Sequence, residues 1–502
     1  MGQGRASEYA RVAPDARRLL PTRGEALLIA AFAGVVGVGL IRHPMWFDET
    51  QSWNIARASH SLPDLVENLR YEGHPPLWHA LLMGVIQITT DVRAMQVLTW
   101  VIAVASVAIV ITRAPWPLWA RIGVCAGYFF VFEYGVFSRS YGLGLLLLLL
   151  ALASRRASVA WVVWLSLLAL TSALGVVLAG SVGLAAIVAG HPTRPDRRTV
   201  LAVGTVGIVA LASVASIAQP SDSRGGTGFG QALASTIHGR VGVALSGAGR
   251  GVVPLPNGHI DWNKNLVSGL PLSVQALFGM VVLAGIAWVL RPWRDALALW
   301  VIGSLGLLVF FCVAYPAEYV RHVGHFAILG LAAAWLAGAD PRPVDPPRVE
   351  LAGRAFAVLI VLNVVAGVAH YTHFTFDRRF RPSQHRASVI ERATDDPAIL
   401  SLVDGTATNI GAYLDRPAYS VRLGREIRFV RYDEEAYRGE QLAPNRVAKR
   451  AAKLIAESHR DVVVIAGPRR LDDALARYSP GGRKLTDGVY LYAAKSRGDS
   501  QD

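Results

Sequence analysis

An acidic pair directly follows the first apolar segment of the chain, in the sequence Trp46-Phe47-Asp48-Glu49-Thr50. The apolar segment, residues 25–41, has about the length that crosses a bilayer, roughly 17 to 25 residues. A carboxylate beside a membrane is costly to desolvate, so Asp48 and Glu49 are candidates for proton abstraction or for binding a metal that also holds a phosphate. The alternative interpretation is a pair of solvated loop acids.

The composition is typical of a polytopic α-helical membrane protein. Hydrophobic residues make up 53% of the 502 residues and charged residues only 17%. A net charge of +14 would suggest nucleic acid in a soluble protein. Here many arginines fall in short connections between apolar runs, where positive charge sets the orientation of the chain in the membrane. We therefore predict a lipid bilayer as the surroundings and no nucleic-acid partner.

The pattern of apolar runs and basic clusters predicts which segments lie outside. A basic cytoplasmic segment, residues 1–23, precedes a retained first helix, so the loop 42–74 faces outside. Further helices are predicted at 141–154, 159–170, 172–189, 199–218, 271–290, 295–314, 322–338 and 354–372. Arginine clusters at 155–156, 194–198, 291–294 and 342–354 would then all be cytoplasmic, whereas a loop at 219–270 and everything after residue 373 would be outside.

One region does not fit a simple count of crossings. The apolar runs 75–90, 94–112 and 117–134 must supply an even number of crossings, so one of them is expected to be re-entrant, partial or split. We predict an odd total within 11–13 transmembrane helices.

The last part of the chain, residues 380–495, has the pattern of a small α/β domain outside the membrane. Strands are predicted at 398–403, 461–466 and 489–493, and amphipathic helices at 445–458 and 471–478. The segment lacks a glycine-rich phosphate fingerprint, so it is not interpreted as nucleotide-binding. It is expected to cover or shape the site of the transmembrane domain, residues 24–372.

Four short motifs, taken together, resemble those of the GT-C superfamily of membrane glycosyltransferases. They are Asp48-Glu49, His74-Pro75-Pro76-Leu77, Ser138-Arg139-Ser140-Tyr141 and Arg321-His322-Val323-Gly324-His325. More narrowly, residues 24–372 resemble protein O-mannosyltransferases, lipid A aminoarabinose transferases and related bacterial enzymes. The resemblance implies transfer of a sugar from a polyprenyl-phosphate donor to a cell-envelope glycan, lipid or protein, on the outer face of the bacterial cytoplasmic membrane. It also implies that Asp48 is the base, that Glu49 assists, and that the anomeric carbon is inverted.

The same reaction needs cations for the departing phosphate. Arg139 and Arg321 are candidate phosphate ligands because a guanidinium offers forked donors, with snorkelling to lipid headgroups as the alternative. Tyr141 and His322 adjoin them and are included in the predicted donor site. His74 stands where some relatives carry lysine, so its position fits a phosphate ligand better than its charge does.

Three further points stay open at the level of the sequence. Carboxylates beside a phosphate suit Mg²⁺ or Mn²⁺, but the acidic pair lacks an intervening residue and relatives differ, so no metal is assigned. Residues 225–265, with Asp261 and Trp262, are interpreted as an acceptor-binding loop, a lid or a plain connection. Three tryptophans are interpreted mainly as membrane-belt anchors: Trp46, Trp53 and Trp78.

A transporter or flippase of a lipid-linked or anionic substrate is the alternative function. Such a protein would place charged groups along a path at mid-membrane depth and would show a pseudo-repeat or paired broken helices. In this sequence the charged motifs cluster at one predicted surface, and no such repeat is evident. An inactive relative that acts as a scaffold is the third interpretation.

Overall fold

The computed structural model describes residues 20–190, 196–223, 237–315, 317–377, 383–467 and 469–494. Most of the basic N-terminal segment and part of the arginine cluster at 194–198 lie outside these residues. The described chain folds into two compact units. The helical unit comprises Met1–His43, Gln96–Ala218 and Thr227–Arg378, and the α/β unit comprises Pro44–Met95, Gln219–Gly226 and Arg379–Asp502.

Sixteen helices precede residue 373 in the described part of the chain. The first eight are α1 Arg23–Arg42, α2 Phe47–Ala58, α3 Leu62–Leu69, α4 Leu77–Ile86, α5 Ala94–Arg113, α6 Leu118–Cys125, α7 Ser140–Ala153 and α8 Val159–Ala169. The next eight are α9 Ala173–Gly190, α10 Arg197–Ser216, α11 Ile237–Val252, α12 Leu272–Leu290, α13 Arg294–Val313, α14 Val320–Val323, α15 His325–Gly338 and α16 Pro346–Thr372.

Within the described residues, seven helical segments are long and apolar enough to cross a membrane. They are Arg23–Arg42, Ala94–Arg113, Arg197–Ser216, Leu272–Leu290, Arg294–Val313, Val320–Gly338 and Pro346–Asp377. Four shorter apolar helices, α4, α7, α8 and α9, accompany them. The polytopic helical fold is thus confirmed, and the total of 11–13 crossings depends on how the shorter helices are counted.

Between residues 75 and 134, two of the three apolar runs depart from a full-length helix, where one was predicted. The run 117–134 is divided into α6 and a separate π-helical turn, Phe129–Glu133. The run 75–90 forms only the ten-residue helix α4. Both predicted outer loops contain helices. In the loop 42–74 these helices are α2 and α3. The prediction of a plain loop over 219–270 is wrong for residues 237–252, which form α11.

Glycines let the helices of the helical unit approach one another closely. A Cβ on Gly279 of α12 would overlap the backbone carbonyl of Leu245 on α11, and one on Gly303 of α13 would contact Leu329 of α15 at 2.5 Å. Small residues at helix contacts are the usual means of packing within a bilayer, where the hydrophobic effect does not drive helices together. The outer side of α12 stays apolar and exposed, with Leu277 and Val281 both more than half exposed.

A charged network joins three connections at one end of the helical unit. Asp295, at the start of α13, is paired with Arg156 and with Arg342, and Arg342 also pairs with Asp340 at 2.5 Å. All three connections belong to the segments predicted as cytoplasmic, so the structure brings them to a common end. The start of α7 and the end of α13 therefore lie at the opposite end.

The described part of the α/β unit contains five further helices and six strands. The helices are α17 Ser383–Ala393, α18 Asp404–Leu414, α19 Glu434–Glu440, α20 Pro444–Glu457 and α21 Arg469–Tyr478. The strands are β1 Ala398–Ser401, β2 Ala418–Ser420, β3 Arg425–Ile427, β4 Val462–Ile465, β5 Arg483–Thr486 and β6 Val489–Tyr492. All three predicted strands and both predicted helices of this region are confirmed.

The six strands form one mixed sheet in the order β3-β2-β1-β4-β6-β5. β1 is parallel to both β2 and β4, and the remaining pairs are antiparallel. The side chains of β1 and β4 alternate between two cores, one with α20 and α21 and the other with α17 and α18. Burial on both faces explains why these two strands have continuous apolar sequences.

Candidate active site

The acidic pair lies in the first turn of α2, and its two members have different surroundings. Glu49 is fully buried, and its Oε2 accepts a hydrogen bond of 3.1 Å from the backbone N–H of Trp46, just before the helix. Asp48 is only half-buried. Carboxylates are favoured at a helix N-terminus because unpaired N–H groups and the helix dipole attract negative charge. Glu49 therefore helps to begin the helix from a buried position, and Asp48 is the more accessible of the two carboxylates.

Helix α2 is bound to α18 of the α/β unit by polar contacts. Thr50 Oγ1 donates to Asn409 Oδ1 at 3.1 Å, and Asn54 Nδ2 donates to the carbonyl of Thr408 at 2.9 Å. These α2 side chains are buried. Buried polar groups that lose such partners cost free energy, so the contacts fix the helix that carries Asp48.

Two more contacts continue this interface. Gln51 pairs with the backbone of Val430 in both directions, at 2.6 and 3.1 Å. At the end of α2, Arg57 forms a bidentate ion pair with Asp415, with both N···O distances 3.1 Å. Burial tends to raise the pKa of Asp415, but hydrogen bonds from Arg57 and the positive charges around it hold that pKa below its ordinary value.

His74 lies in the same unit, after a tight turn at Gly73. Gly73 has a φ of +68°, a conformation that side chains other than glycine rarely adopt. The turn brings His74 Nδ1 within 2.9 Å of the carbonyl of Glu72, to which the ring donates a hydrogen bond. His74 also lies edge-on to His79, with ring centroids 6.3 Å apart. The structure thus places Asp48, Glu49 and His74 in the α/β unit.

The other four predicted residues form a cluster in the helical unit, at the end opposite the charged network. His322 Nε2 hydrogen-bonds the hydroxyl of Tyr141 at 2.9 Å. The guanidinium of Arg321 lies over the ring of Tyr319 at 4.3 Å, and that of Arg139 lies 6.0 Å from the ring of Tyr141. Arg321 and His322 are buried. A buried guanidinium such as that of Arg321 is rare and is usually kept for a specific partner.

Local backbone contacts hold this cluster in place. The hydroxyl of Tyr134 donates to the carbonyl of Arg321 at 2.8 Å, and His325 Nδ1 donates to the carbonyl of His322 at 2.9 Å. A Cβ on Gly251 of α11 would overlap the carbonyl of Val323. The short helix α14 therefore lies directly against α11, and glycine is required at this contact.

Arg250 is a structural residue of this region that the sequence did not single out. It lies on α11 and donates hydrogen bonds to the carbonyl of Asn263 at 3.2 Å, to that of Glu318 at 3.0 Å and to that of Ala317. One arginine thus ties α11 to Asn263 and to the residues that precede α14. It lies in the glycine-rich stretch 225–265, which the sequence analysis interpreted as a loop.

Glu133 and Trp262 were also not recognised as partners. Glu133, in the π-helical turn, is buried and accepts hydrogen bonds from Trp262 Nε1 at 2.7 Å and from the hydroxyl of Tyr128 at 2.8 Å. The indole of Trp262 stacks on Phe137, with ring centroids 4.5 Å apart and an interplanar angle of 12°. The segment around Trp262 is therefore attached to the helical unit at this point. Glu133 and Trp262 are 129 positions apart in the chain, so the sequence alone gave no sign of their contact.

The interpretation of the tryptophans as membrane anchors is wrong for two of the three. Trp53 and Trp78 are each 1% exposed. Belt tryptophans lie at the lipid surface with their rings accessible, whereas these rings pack inside the protein. Trp46 is half-buried.

Among the described residues, no three His, Cys, Asp or Glu side chains come together as a metal-binding group. The acidic pair alone supplies at most two protein ligands, and one Glu49 oxygen already accepts the Trp46 N–H. A divalent cation at this pair would therefore need most of its oxygen ligands from elsewhere, such as a phosphate or water.

The described chain is thus a polytopic helical bundle with an arginine, histidine and tyrosine cluster at one end of the helical unit, and it carries a small α/β unit. Among solved structures, the chain is similar to ArnT from Cupriavidus metallidurans, whose crystal structure contains bound undecaprenyl phosphate. The identity is 14%, the match covers 94% of this chain and 98% of that chain, and the TM-score is 0.53. This likeness confirms the predicted GT-C-like fold. No family model and no curated protein matches the sequence.

Proposed function

We propose that the protein is a membrane glycosyltransferase that moves a sugar from a polyprenyl-phosphate donor to a cell-envelope acceptor. The observation that carries this proposal is the buried cluster of Arg321, His322 and Tyr141 on a fold shared with ArnT. ArnT was crystallised with undecaprenyl phosphate, a lipid phosphate of the class that the proposed reaction would release.

The cluster has the chemistry that a lipid-linked phosphate requires. A polyprenyl phosphodiester carries negative charge at the membrane surface, and a further negative charge develops on its oxygens as the sugar departs. Arg321 keeps its charge near lipid and offers forked donors to phosphate oxygens. His322 and Tyr141 add donors held by their mutual hydrogen bond. Donors that are already oriented stabilise developing charge without reorganisation during the reaction.

We assign the base to Asp48 and the assisting role to Glu49. The carboxylate of Asp48 takes the proton of the acceptor hydroxyl, and the acceptor oxygen attacks the anomeric carbon. The bond from that carbon to the phosphate oxygen breaks, and polyprenyl phosphate leaves with the electron pair. Direct displacement inverts the configuration at the anomeric carbon. General-base catalysis of this kind contributes about 10²- to 10⁴-fold to the rate.

Three other elements of the proposal are tested separately. We assign Arg139 and His74 to the donor phosphate from their motifs, and each is tested by substitution to glutamine. A contribution of Mg²⁺ or Mn²⁺ is tested by turnover with and without a chelator. The outer face of a bacterial cytoplasmic membrane is proposed from the arginine pattern, and labelling of single cysteines at residues 61 and 342 from each side tests it.

The main experiment measures sugar release by the purified protein in detergent. The wild type and Asp48→Asn are incubated with a panel of polyprenyl-phosphate sugars and with membrane extract as acceptor. We expect turnover of one donor class by the wild type and a loss of at least 100-fold in the variant. Glu67→Gln, an exposed carboxylate of α3, is the matched control and should retain activity.

The phosphate cluster is tested with the same assay. Arg321→Gln should raise the KM of the donor, and Arg321→Lys should restore only part of the affinity because lysine lacks the forked donors. Arg354→Gln removes an exposed arginine from α16 and serves as the control. Movement of an intact labelled lipid across proteoliposomes, without sugar release, would support the transporter alternative and contradict the proposal.

A further inference from the structure

The α/β unit contains a polar cavity of about 300 Å³. Its lining comes from two regions that are far apart in sequence: residues 58–68, from the end of α2 into α3, and residues 404–436 of the α/β unit. Ligand pockets have volumes of roughly 300 to 1,000 Å³, so this cavity suits one small ring-shaped ligand. Neither the acidic pair nor the arginine and histidine cluster lines it.

The cavity has balanced charge. The lining includes three arginines, Arg425, Arg428 and Arg431, and three acids, Asp64, Asp404 and Glu426. The arginines are also each within ion-pair distance of a carboxylate outside the lining, at 3.3 to 3.5 Å. An anionic ligand would therefore have to compete with carboxylates already present. This arrangement disfavours an anionic ligand, and the lining acids offer hydrogen-bond acceptors to a ligand that carries hydroxyl groups.

The acceptors of the cavity are held in fixed positions. Asp404 accepts hydrogen bonds from the hydroxyls of Ser401 and Ser420, at 2.6 and 2.9 Å. Asp64 accepts one from the backbone N–H of His60 at 2.8 Å. Each carboxylate has further lone pairs for a ligand hydroxyl. Fixed acceptors lower the entropy cost of binding a flexible polyhydroxyl compound.

The cavity also has an apolar side. Phe429 lines it and packs against the buried cluster of Ile55, Leu65 and Leu69. Packing on one side fixes the aromatic ring. A sugar ring offers an apolar C–H face as well as hydroxyl groups, so a fixed ring beside carboxylates and guanidinium groups complements both of its surfaces.

We infer that this cavity binds a neutral sugar unit and that the acceptor of the reaction is a glycan. The inference rests on the proposed function, since the bound sugar would be part of the acceptor chain. The cavity would hold a sugar unit of the acceptor other than the unit whose hydroxyl reacts. A charged headgroup or an apolar peptide would match the lining less well.

Binding without a donor tests the inference independently of catalysis. The full-length protein in detergent is titrated with neutral methyl glycosides of arabinose, mannose, galactose and glucose, with methyl glucuronide and inorganic phosphate as anionic probes. Saturation-transfer NMR and calorimetry report binding. Ala436→Phe, which fills the cavity, should weaken binding of the preferred neutral glycoside at least tenfold. Ala456→Phe, on the exposed face of α20, is the matched control and should bind as the wild type does.

The outcomes separate this inference from the proposed function. Neutral glycosides that bind to the wild type and to Asp48→Asn, but not to Ala436→Phe, support the cavity as a sugar site even if no donor is turned over. Absence of binding by every neutral glycoside, tighter binding of the anionic probes, or equal binding by Ala436→Phe would overturn it. Thermal unfolding of Ala436→Phe shows whether the variant is folded, and Asp64→Asn provides a second, milder variant with the same expected direction.

Discussion

Asp48 and Glu49 are adjacent in the chain, but they have different roles in the first turn of α2. Glu49 is fully buried and bonded to the Trp46 N–H, and its charge lies near Tyr413, whose pKa is raised by burial and by that charge. Asp48 is half-buried. A base must exchange protons with a substrate, which a carboxylate committed to the helix start does poorly. The assignment of the base to Asp48 stays a proposal, and the greater exposure of Asp48 is the observation in its favour.

We predict that Glu49→Gln changes stability more than catalysis. Glutamine keeps an oxygen that accepts the Trp46 N–H but removes the charge that favours a helix N-terminus, a loss of about 0.3 to 1 kcal/mol. Turnover should fall less than tenfold, whereas Asp48→Asn should lower it by at least 100-fold with an equally small loss of stability, since Asp48 lies in the same first helical turn. Both quantities are measured on the same detergent preparations. Equal kinetic losses in the two variants would contradict the division of roles.

The Tyr141 hydroxyl is predicted to orient His322 for the donor. Tyr141→Phe removes a hydrogen bond of 2.9 Å and leaves a buried ring nitrogen without that partner, a cost of about 1 to 3 kcal/mol. We expect a rise of roughly tenfold in the KM of the donor, with a smaller change in kcat. Tyr478→Phe, at a partly exposed position on α21, controls for loss of a hydroxyl elsewhere. An unchanged KM in Tyr141→Phe would mean that His322 does not contact the donor.

At the scale of helices, glycine on α11 allows α14 to lie against it. We predict that Gly251→Ala lowers both stability and donor affinity, because the added Cβ would overlap the Val323 carbonyl and displace the helix that carries Arg321. Such overpacking typically costs 1 to 3 kcal/mol. Gly204→Ala on α10 is the control, since no atom lies within 4 Å of its Cβ, and it should be neutral or slightly stabilising. Similar effects of the two substitutions would contradict this account.

The contact between α2 and α18 should weaken in acid. The folded pKa of Asp415 lies below its ordinary value, so the pair with Arg57 stabilises the fold above about pH 4 and loses this effect as the pH falls through the folded pKa. Asp415→Asn should cost about 1 kcal/mol at pH 7, a modest figure because solvent screens this partly exposed pair. The gap in unfolding temperature between wild type and variant should shrink below pH 4. A gap independent of pH would contradict the assignment.

Over the whole molecule, the sequence predicted those helices and strands whose formation depends on residues close together in the chain. The run 94–112 became α5, and the run 271–290 became α12, because length and hydropathy suffice to identify a membrane helix. The two-sided burial of β1 and β4 likewise gave recognisable apolar runs.

The elements and residues that the sequence did not predict depend on contacts between residues far apart in the chain. β3 and β5 are short and largely polar edge strands, and their sequences carry little strand signal. α11 contains glycines that its neighbours require, so its sequence resembled a loop. In the candidate site, the motifs identified Arg321 and His322, but not Arg250 or Glu133, whose partners lie elsewhere in the chain. The cavity is a similar case, because two segments more than 300 residues apart line it.

The discontinuous α/β unit leads to a final prediction about the intact chain. Residues 44–95 and 379–502 belong to one compact unit, although the polypeptide between them forms most of the other. A protease site inserted at 378–382 should therefore allow cleavage without release of the C-terminal fragment at neutral pH, since α2 holds α18 through Thr50, Asn54 and Arg57. Native affinity purification through an N-terminal tag measures the retained fraction.

The double variant Asn54→Ala/Arg57→Ala should reduce retention, and Arg477→Ala, on the exposed side of α21, should not. Release of the wild-type fragment under these conditions would show that the linking polypeptide, and not the contacts of α2, holds the unit together.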